Sequence, residues 1–276
     1  MTFVPLRVAF DLDGVLADME SALVRQAVVL FGDGVVRRLL DSAGQPTARA
    51  IAAGGGAPDG RAAEATNLDD RASDDVPARL HLSARQERRL WRRLRAIDNF
   101  WETLDECEPG VVARLASIAR DRRWEIIFLT KRPESGGATA QQQTQRWLAS
   151  KGFTLPSVFV VRRSRGLIAA SLDLDIVIDD RPENCLDVVV DSRARAILVW
   201  RADPKELPPA TRQLGIGVVT TVNQCLDILT EVDETPARRA GLLDRVMDRL
   251  GLETPRPAKP FDSSNLEVTQ QAEPGD

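Results

Sequence analysis

The sequence predicts an α/β fold in which helices cover both faces of a parallel β-sheet. Two observations lead to this prediction. Short apolar segments of strand length alternate along the chain with longer segments of helical periodicity. Acidic and hydroxyl side chains directly follow several of these short segments, as in "RVAFDLDGVLAD" at residues 7–18. Because ligands of parallel sheets bind beyond the carboxyl ends of the strands, these side chains should meet at one edge.

Six segments are too short for helices and are predicted to form strands. Most of them are continuous apolar runs, as is typical of strands that are covered on both faces. They span residues 8–10, 124–130, 157–161, 175–180, 196–200 and 217–222.

Two helices are predicted after the first strand. The first covers residues 19–30 and ends at Gly32 and Gly34. The second begins at Ser83, which should form a capping box with Gln86. Intervals of four, three and four residues predict that one apolar face of this helix comprises Leu90, Leu94, Ile97 and Trp101.

Further helices are predicted in the second half of the chain. One opens after Pro109-Gly110, and another covers "AQQQTQRWLASKG" and stops at Gly152. A third begins at Pro182, where Asp179 or Asp180 is available as a cap. The last covers residues 236–250, because proline is tolerated in the first turn of a helix.

Composition and charge exclude several classes of protein. The 276 residues are 43% hydrophobic, which suffices for one or two globular domains. The sequence has no uninterrupted apolar run of about 18 residues and no N-terminal basic segment followed by an apolar one, so neither a membrane span nor a signal peptide is predicted. The net charge of −4 argues against a protein that binds polymeric nucleic acid, since such proteins usually carry a strongly basic domain.

The rare residue types limit the chemistry. The chain has one histidine and no tyrosine, so acid–base chemistry falls mostly to carboxylates. Cys107, Cys185 and Cys225 are odd in number and far apart, which fits neither a disulfide framework nor a zinc site. These cysteines predict a reducing, cytoplasmic environment.

Two segments have compositions that predict disorder. Residues 41–77 are rich in Ala, Gly, Asp, Pro and Arg, and "AAGGGAPDG" within them cannot bury enough apolar surface to become ordered. We therefore predict a flexible insertion here. The residues beyond Glu253 are predicted to form a disordered tail.

Carboxylates are predicted to converge at the functional edge of the sheet. Asp11 and Asp13 follow the first strand, and Asp179 and Asp180 end the fourth. Buried carboxylates this close together need an opposite charge. A divalent cation supplies one, and oxygen ligands without histidine or thiolate select Mg²⁺ over zinc or copper. Because Mg²⁺ usually binds one or two carboxylates together with a substrate phosphate, the cluster indicates phosphate chemistry.

Four motifs in this order resemble those of the haloacid dehalogenase (HAD) superfamily. They are "DLDGVLAD", the threonine that ends "IIFLT", a basic residue before the fourth strand, and "IDD". The resemblance covers roughly residues 7–200 and implies a Rossmann-like core. It also implies a phosphatase or phosphomutase, because branches that act on carbon–halogen bonds or pump ions generally lack an aspartate at position 13.

The resemblance assigns a role to each motif residue. Asp11 would be the nucleophile that forms an aspartyl-phosphate, and Asp13 would protonate the leaving oxygen and then activate water. Thr130 would hold a phosphate oxygen. Mg²⁺ would bind Asp11, the backbone carbonyl of Asp13, and one or both of Asp179 and Asp180.

The basic residue of the third motif has several candidates. "VVRRSRG" offers Arg162, Arg163 and Arg165, and Arg165 lies nearest to where a lysine stands in similar nucleotidases. Arginine would grip phosphate as a fork. Lys131 is a second candidate because it is next to Thr130.

The resemblance also implies a domain organisation. Residues 1–18 and 109–230 would form the catalytic core, and residues 19–108 a mainly helical cap inserted after the first strand. Residues 231–276 would hold the C-terminal helix and the tail. The segment "NFWETLDECEPG" is similar to the return from the cap in 5′(3′)-deoxyribonucleotidases, where aromatic residues stack on the base. Phe100 and Trp101 would serve here, unless they belong to the core.

The sequence therefore predicts a Mg²⁺-dependent phosphomonoester hydrolase that acts on a small phosphorylated substrate, with a 5′-nucleotidase as one form. Two alternatives stay open. The chain could be a phosphatase-like scaffold that binds or regulates a partner through its arginine-rich helix and its tail. It could also act on a sugar phosphate or a polynucleotide end. The oligomeric state is not predicted.

Overall fold

The fold is described from a computed structural model that covers residues 5–41, 82–233 and 239–252. In these ranges a six-stranded parallel sheet is surrounded by helices, which confirms the predicted Rossmann-like α/β fold. The strands are β1 (Arg7–Asp11), β2 (Glu125–Thr130), β3 (Ser157–Val160), β4 (Ile176–Asp179), β5 (Arg195–Val199) and β6 (Gly217–Val219).

Ten helices of the described ranges connect and follow the strands, and four of them lie between β1 and β2. They are α1 (Met19–Phe31), α2 (Asp33–Asp41), α3 (Ala84–Arg95), α4 (Val111–Arg122), α5 (Ala140–Ser150), α6 (Arg165–Ser171), α7 (Pro182–Asp191), α8 (Ala210–Gln213), α9 (Val222–Asp233) and α10 (Arg239–Arg249). Two 3₁₀ segments span Phe100–Thr103 and Pro204–Glu206. The predicted tail and nearly all of the predicted flexible insertion lie outside the described residues, as do residues 236–238 of the last predicted helix.

The strand order places the functional edge. It runs β3-β2-β1-β4-β5-β6, so the sheet grows in opposite directions from β1 and β4. Ligands of such sheets bind in the crevice beyond the strand ends at this switch point. Asp11 is the last residue of β1 and Asp179 is the last residue of β4, so both carboxylates face that crevice from its two sides.

The core lies on both faces of the sheet. Val8 and Phe10 of β1 belong to the larger apolar cluster, whereas Ala9 belongs to a second cluster on the opposite face. This division follows from the alternation of side chains along a strand. Burial on both faces explains why the strands are continuous apolar runs.

The helix that begins after Ser83 is shorter than its apolar spacing predicts. Ser83 and Gln86 form the predicted capping box, with the amide of Ser83 donating to Gln86 Oε1 at 2.9 Å. However, α3 ends at Arg95, and Trp101 lies in the following 3₁₀ segment. The prediction of one helix through Trp101 was wrong because Asn99 adopts a left-handed conformation (φ 53°) and donates its amide to the carbonyl of Gly136.

The helices of the described ranges are also informative about membranes. None of them is both long enough and apolar enough to cross a bilayer.

Candidate active site

The turn after β1 presents Asp11 and Asp13 at the crevice. Gly14 has a φ of 85°, which favours glycine, and its amide donates to the carbonyl of Ala17 at 2.9 Å. A Cβ atom at position 14 would lie 2.0 Å from Oδ2 of Asp180. Only glycine therefore lets the turn and the end of β4 approach this closely.

Arg165 links the ends of β1 and β4. Its side chain is only 2% exposed, its Nη2 donates to Oδ1 of Asp11, and its Nε lies 3.5 Å from Oδ2 of Asp179. Nε and Nη1 have no hydrogen-bond partner among the described residues. A buried guanidinium group thus lies beside the Asp11 carboxylate, with Nε in ion-pair contact with Asp179 and Nη1 without a partner among the described residues.

Position 165 is set by the packing of α6. This helix begins after Ser164, whose Oγ accepts the amide of Gly166 at 3.2 Å. A Cβ atom at position 166 would lie 2.0 Å from the carbonyl oxygen of Asp187, so α6 packs closely against α7. The first turn of α6 therefore carries Arg165 into the crevice.

Hydrogen bonds from residues at the start of α7 hold the side chain of Asp179 in place. Nδ2 of Asn184 donates to both of its carboxylate oxygens at 3.0 Å, and the amide of Arg181 donates to Oδ1 at 2.9 Å. Burial raises the pKa of Asp179, although Arg165 and these hydrogen bonds oppose the rise.

The electrostatics of the cluster disfavour full ionisation. Burial raises the pKa of Asp11 well above its usual range, Arg165 opposes this, and the nearby carboxylates add to it. Burial raises the pKa of Asp180 to about 7, with the charge of Asp179 as the next cause. The carboxylates of β1 and β4 thus carry more negative charge than their surroundings stabilise.

Asp13 is held by an arginine that the sequence analysis did not select. Nε of Arg132 lies 3.0 Å from Oδ1 and 2.9 Å from Oδ2 of Asp13, and Nη2 lies 2.6 Å from Oδ1. The side chain of Arg132 is fully buried. Lys131, the second predicted candidate for the basic residue, is exposed. Thr130 is the last residue of β2, and the alternation of side chains along that strand, if continued by two residues, favours position 132 over position 131.

Thr130 lies between these groups. It is buried, its hydroxyl is 3.3 Å from Oδ2 of Asp13, and the same oxygen accepts the amide of Arg132 at 3.3 Å. The ends of β1, β2 and β4 thus bring together Asp11, Asp13, Thr130 and Asp179, as the motif order predicts.

The remaining predicted residues are divided between the core and the surface. Arg162 and Arg163 are exposed, so Arg165 is the arginine of its segment that lies in the crevice. Phe100 and Trp101 are buried in the larger core cluster, with their rings edge to face at 5.0 Å. Their packing matches the core alternative, and neither presents an open ring face to a ligand.

A second unpredicted arginine supports the turn after β1. Nη2 of Arg201 donates to the carbonyl of Val15 at 3.2 Å and to Oε1 of Glu108 at 2.9 Å, and Nη1 donates to the carbonyl of Gly14. Glu108 also accepts the amides of Val222 and Asn223 at the start of α9. Arg201 therefore ties the turn to the rest of the core.

The donor chemistry of the cluster fits Mg²⁺. Asp11, Asp179 and Asp180 offer carboxylate oxygens, and the pKa values of all three are raised, so a cation would relieve their repulsion. Within the described ranges no three acidic, cysteine or histidine side chains are arranged as a preformed metal site. Mg²⁺ does not need one, because it usually keeps several waters and takes one or two carboxylates.

Among known proteins, only solved structures are similar to this chain in the comparisons made. No protein-family profile and no curated protein matches the sequence. A candidate β-phosphoglucomutase from Thermotoga maritima is 19% identical, with a TM-score of 0.43 over 82% of this chain and 99% of that one. A hydrolase from Pseudomonas syringae is 18% identical, with a TM-score of 0.43 over 84% of this chain and 100% of that one. A HAD hydrolase of family IA, variant 3, from Entamoeba histolytica is 12% identical, with a TM-score of 0.40 over 87% and 99%.

These similarities are too distant to carry an argument about activity. The strand order establishes the fold.

Proposed function

We propose that this chain is a Mg²⁺-dependent phosphomonoester hydrolase of the HAD type. The observation that carries the proposal is the buried guanidinium of Arg165, which contacts Asp11 and whose Nη1 has no partner among the described residues. Leaving a buried donor unpaired costs about 1–3 kcal/mol. A phosphate oxygen beside Asp11 would accept from Nη1, which lies next to Nη2 at the end of the guanidinium, whereas Nε faces Asp179. Arginine is a preferred residue for binding phosphate because its donors are fixed in a plane.

In the first step a carboxylate oxygen of Asp11 attacks phosphorus. A bond forms between Asp11 and phosphorus, the ester bond to the leaving oxygen breaks, and that oxygen takes a proton from Asp13. In the second step water attacks phosphorus and gives a proton to the Asp13 carboxylate, and the bond between phosphorus and the Asp11 oxygen breaks. Phosphate leaves, and Asp11 and protonated Asp13 are restored for the next turnover.

The other crevice residues bind and orient the phosphate group. Arg165 would hold its oxygens beside Asp11, and Thr130, at the end of β2, would hold a phosphate oxygen as the resemblance implies. Asp11, the carbonyl of Asp13, and one or both of Asp179 and Asp180 would hold Mg²⁺. When bound, this cation neutralises charge on the phosphate and on the carboxylates.

The substrate class is a small phosphomonoester. A 5′-nucleotidase stays a prediction from the resemblance, as do sugar phosphates and polynucleotide ends. Because Phe100 and Trp101 are packed in the core, a nucleotide would need another surface for its base.

Phosphate release from a panel of phosphomonoesters tests the proposal. The panel contains p-nitrophenyl phosphate, sugar phosphates, and the 5′ and 3′ nucleoside monophosphates, each with Mg²⁺ and then with a chelator. We expect Mg²⁺-dependent release by the wild type and a loss of at least about 10³-fold in Asp11→Asn, as for other nucleophile deletions. No release by folded wild type, or full activity of Asp11→Asn, would contradict the proposal.

A further inference from the structure

We propose that Arg132 is a positioning residue that holds Asp13 in the orientation needed for proton transfer. This inference rests on the proposed function, because it assigns to Arg132 a task in the protonation of the leaving group. Arg132 acts through Asp13 and does not touch the substrate.

The hydrogen bonds of Arg132 use all three of its nitrogen atoms. Nε and Nη2 grip the Asp13 carboxylate as described above, and Nη1 donates to Oγ1 of Thr144 at 2.9 Å. A paired fork of this kind fixes the plane of the carboxylate as well as its position. Oδ1 accepts both Nε and Nη2, whereas Oδ2 accepts Nε and, at 3.3 Å, the hydroxyl of Thr130. Oδ2 has the weaker partners and is therefore the oxygen placed to exchange a proton.

The geometry separates Arg132 from the reacting phosphate. The side chain of Arg132 is 0% exposed, whereas that of Asp13 is 13% exposed. Arg132 therefore approaches Asp13 from the protein interior and leaves its outer side open to the crevice. Arg165, in contrast, lies beside Asp11 with its Nη1 unpartnered among the described residues.

Two tryptophans and one threonine build the seat of Arg132. Its guanidinium carbon lies 5.1 Å from the ring centre of Trp101 and 5.9 Å from that of Trp147, both within the range of cation–π attraction. The tryptophan Nε1 atoms donate to the carbonyls of Pro133 and Leu104, which fixes both rings.

Thr144 completes the seat. Its hydroxyl proton goes to the carbonyl of Ala140 at 2.7 Å, so its oxygen is available to accept Nη1 of Arg132. Trp101 and Trp147 thus support the site by packing against the guanidinium of Arg132.

This placement predicts a dependence on the leaving group. An alkoxide is a poor leaving group and needs a proton from Asp13, whereas p-nitrophenolate leaves readily without one. A general acid contributes about 10²–10⁴-fold when it is correctly placed. Misplacing Asp13 should therefore slow alkyl phosphates much more than aryl phosphates.

The experiment compares kcat/KM for glycerol phosphate and p-nitrophenyl phosphate in full-length variants. Arg132→Lys keeps the charge but loses the fork, and Thr144→Val removes the acceptor of Nη1 with little change of shape. We expect the ratio of alkyl to aryl activity to fall at least about 10-fold in Arg132→Lys and less in Thr144→Val. The matched control is Arg146→Gln, because Arg146 lies on α5 with Thr144 but is exposed. This change removes only an ion pair with Glu102 and should leave the ratio of alkyl to aryl activity unchanged.

A second background keeps the test decisive if Arg132→Lys loses stability. In Asp13→Asn the proton donor is already gone, so adding Arg132→Lys or Thr144→Val should change neither substrate by more than about 2-fold. This result separates an effect through Asp13 from a general loss of structure.

Three results would overturn the inference. Equal losses of kcat on both substrates would make Arg132 a structural residue, and an equal rise in KM with unchanged kcat would make it a phosphate ligand. A loss from Arg132→Lys that persists in Asp13→Asn would show action outside Asp13. In all three cases wild-type turnover leaves the proposed function standing, whereas a folded wild type without turnover would remove both.

Discussion

Two halves of one acidic cluster differ in how completely their arginines are bonded. In the Asp11 half, Nη1 of the buried Arg165 has no partner among the described residues, and Nε has no hydrogen bond, only an ion-pair contact with Asp179. In the Asp13 half, Arg132 is equally buried but uses Nε, Nη1 and Nη2. The arginine of the Asp11 half therefore has a donor left for a ligand, whereas every nitrogen atom of the arginine in the Asp13 half is bonded to protein. Burial of a charged residue therefore does not by itself identify a binding group, whereas unused donors do.

The difference follows from the elements that carry the two arginines. Arg165 stands in the first turn of α6 at the crevice between β1 and β4. Arg132 lies in the loop between β2 and α5, enclosed by tryptophan rings. The loop position offers protein partners on every side, and the helix position faces the crevice.

The largest effect should come from removing the unused donor. Arg165→Met should lower kcat/KM by about 10²–10³-fold, the range for losing one preorganised donor to a developing charge. It should also weaken inhibition by inorganic phosphate, because the phosphate loses its buried partner. Arg163→Met is the matched control, since Arg163 is exposed two residues earlier. If the Arg163 variant lost activity and the Arg165 variant kept it, the two halves would be misassigned.

A smaller effect concerns stability and pH in the Asp11 half. The pKa of Asp180 is raised from 3.8 to about 7, so the folded chain binds this proton more tightly than the unfolded chain. Stability should therefore fall as pH rises from about 4 to about 7, and the full cost applies above pH 7. Three pKa units correspond to about 4 kcal/mol, and partial exposure reduces this to about 2 kcal/mol.

Asp180→Asn should remove that cost. Thermal unfolding with a chelator present should show a Tm about 5 °C above that of the wild type at pH 8, and no difference at pH 4 or below. Adding Mg²⁺ should narrow the gap at pH 8 if Asp180 holds the cation. A lower Tm of Asp180→Asn at pH 8 would contradict the electrostatic account of this half.

The smallest effect concerns the support of Asp179. Asn184→Ala removes both hydrogen bonds from Nδ2 to this carboxylate and should lower stability by about 1.5 kcal/mol. Chemical denaturation measures the change, and Asp187→Ala on the same helix serves as the control. An unchanged midpoint for Asn184→Ala would mean that Asp179 finds other partners.

The sequence predicted the residues of the Asp11 half better than the arginine of the Asp13 half. Asp11, Thr130 and Asp179 each end an apolar strand, so local patterns and one topological rule placed them together. Arg165 followed from the resemblance. The fold class and the capping box at Ser83 followed from periodicity and capping chemistry.

Arg132 was missed for a physical reason. Its task depends on Thr144, Trp101 and Trp147, which come from distant parts of the chain and meet only in the folded state. The helical spacing that joined Leu90 to Trp101 was misleading, because a left-handed residue at Asn99 redirected the chain. Alternation along the chain favours position 132 over position 131, but no local pattern shows that Thr144, Trp101 and Trp147 meet around that side chain.

The most direct test of the account is to trap the phosphorylated enzyme. Asp13→Asn is mixed with p-nitrophenyl phosphate and Mg²⁺ and quenched in acid, and peptide masses are then measured. The first step does not need a proton donor with this leaving group, and the second step lacks its base, so a phosphoryl group should accumulate on Asp11. Phosphorylation of a different residue, or release of nitrophenol without any phosphorylated peptide, would contradict the division of labour between Asp11 and Asp13.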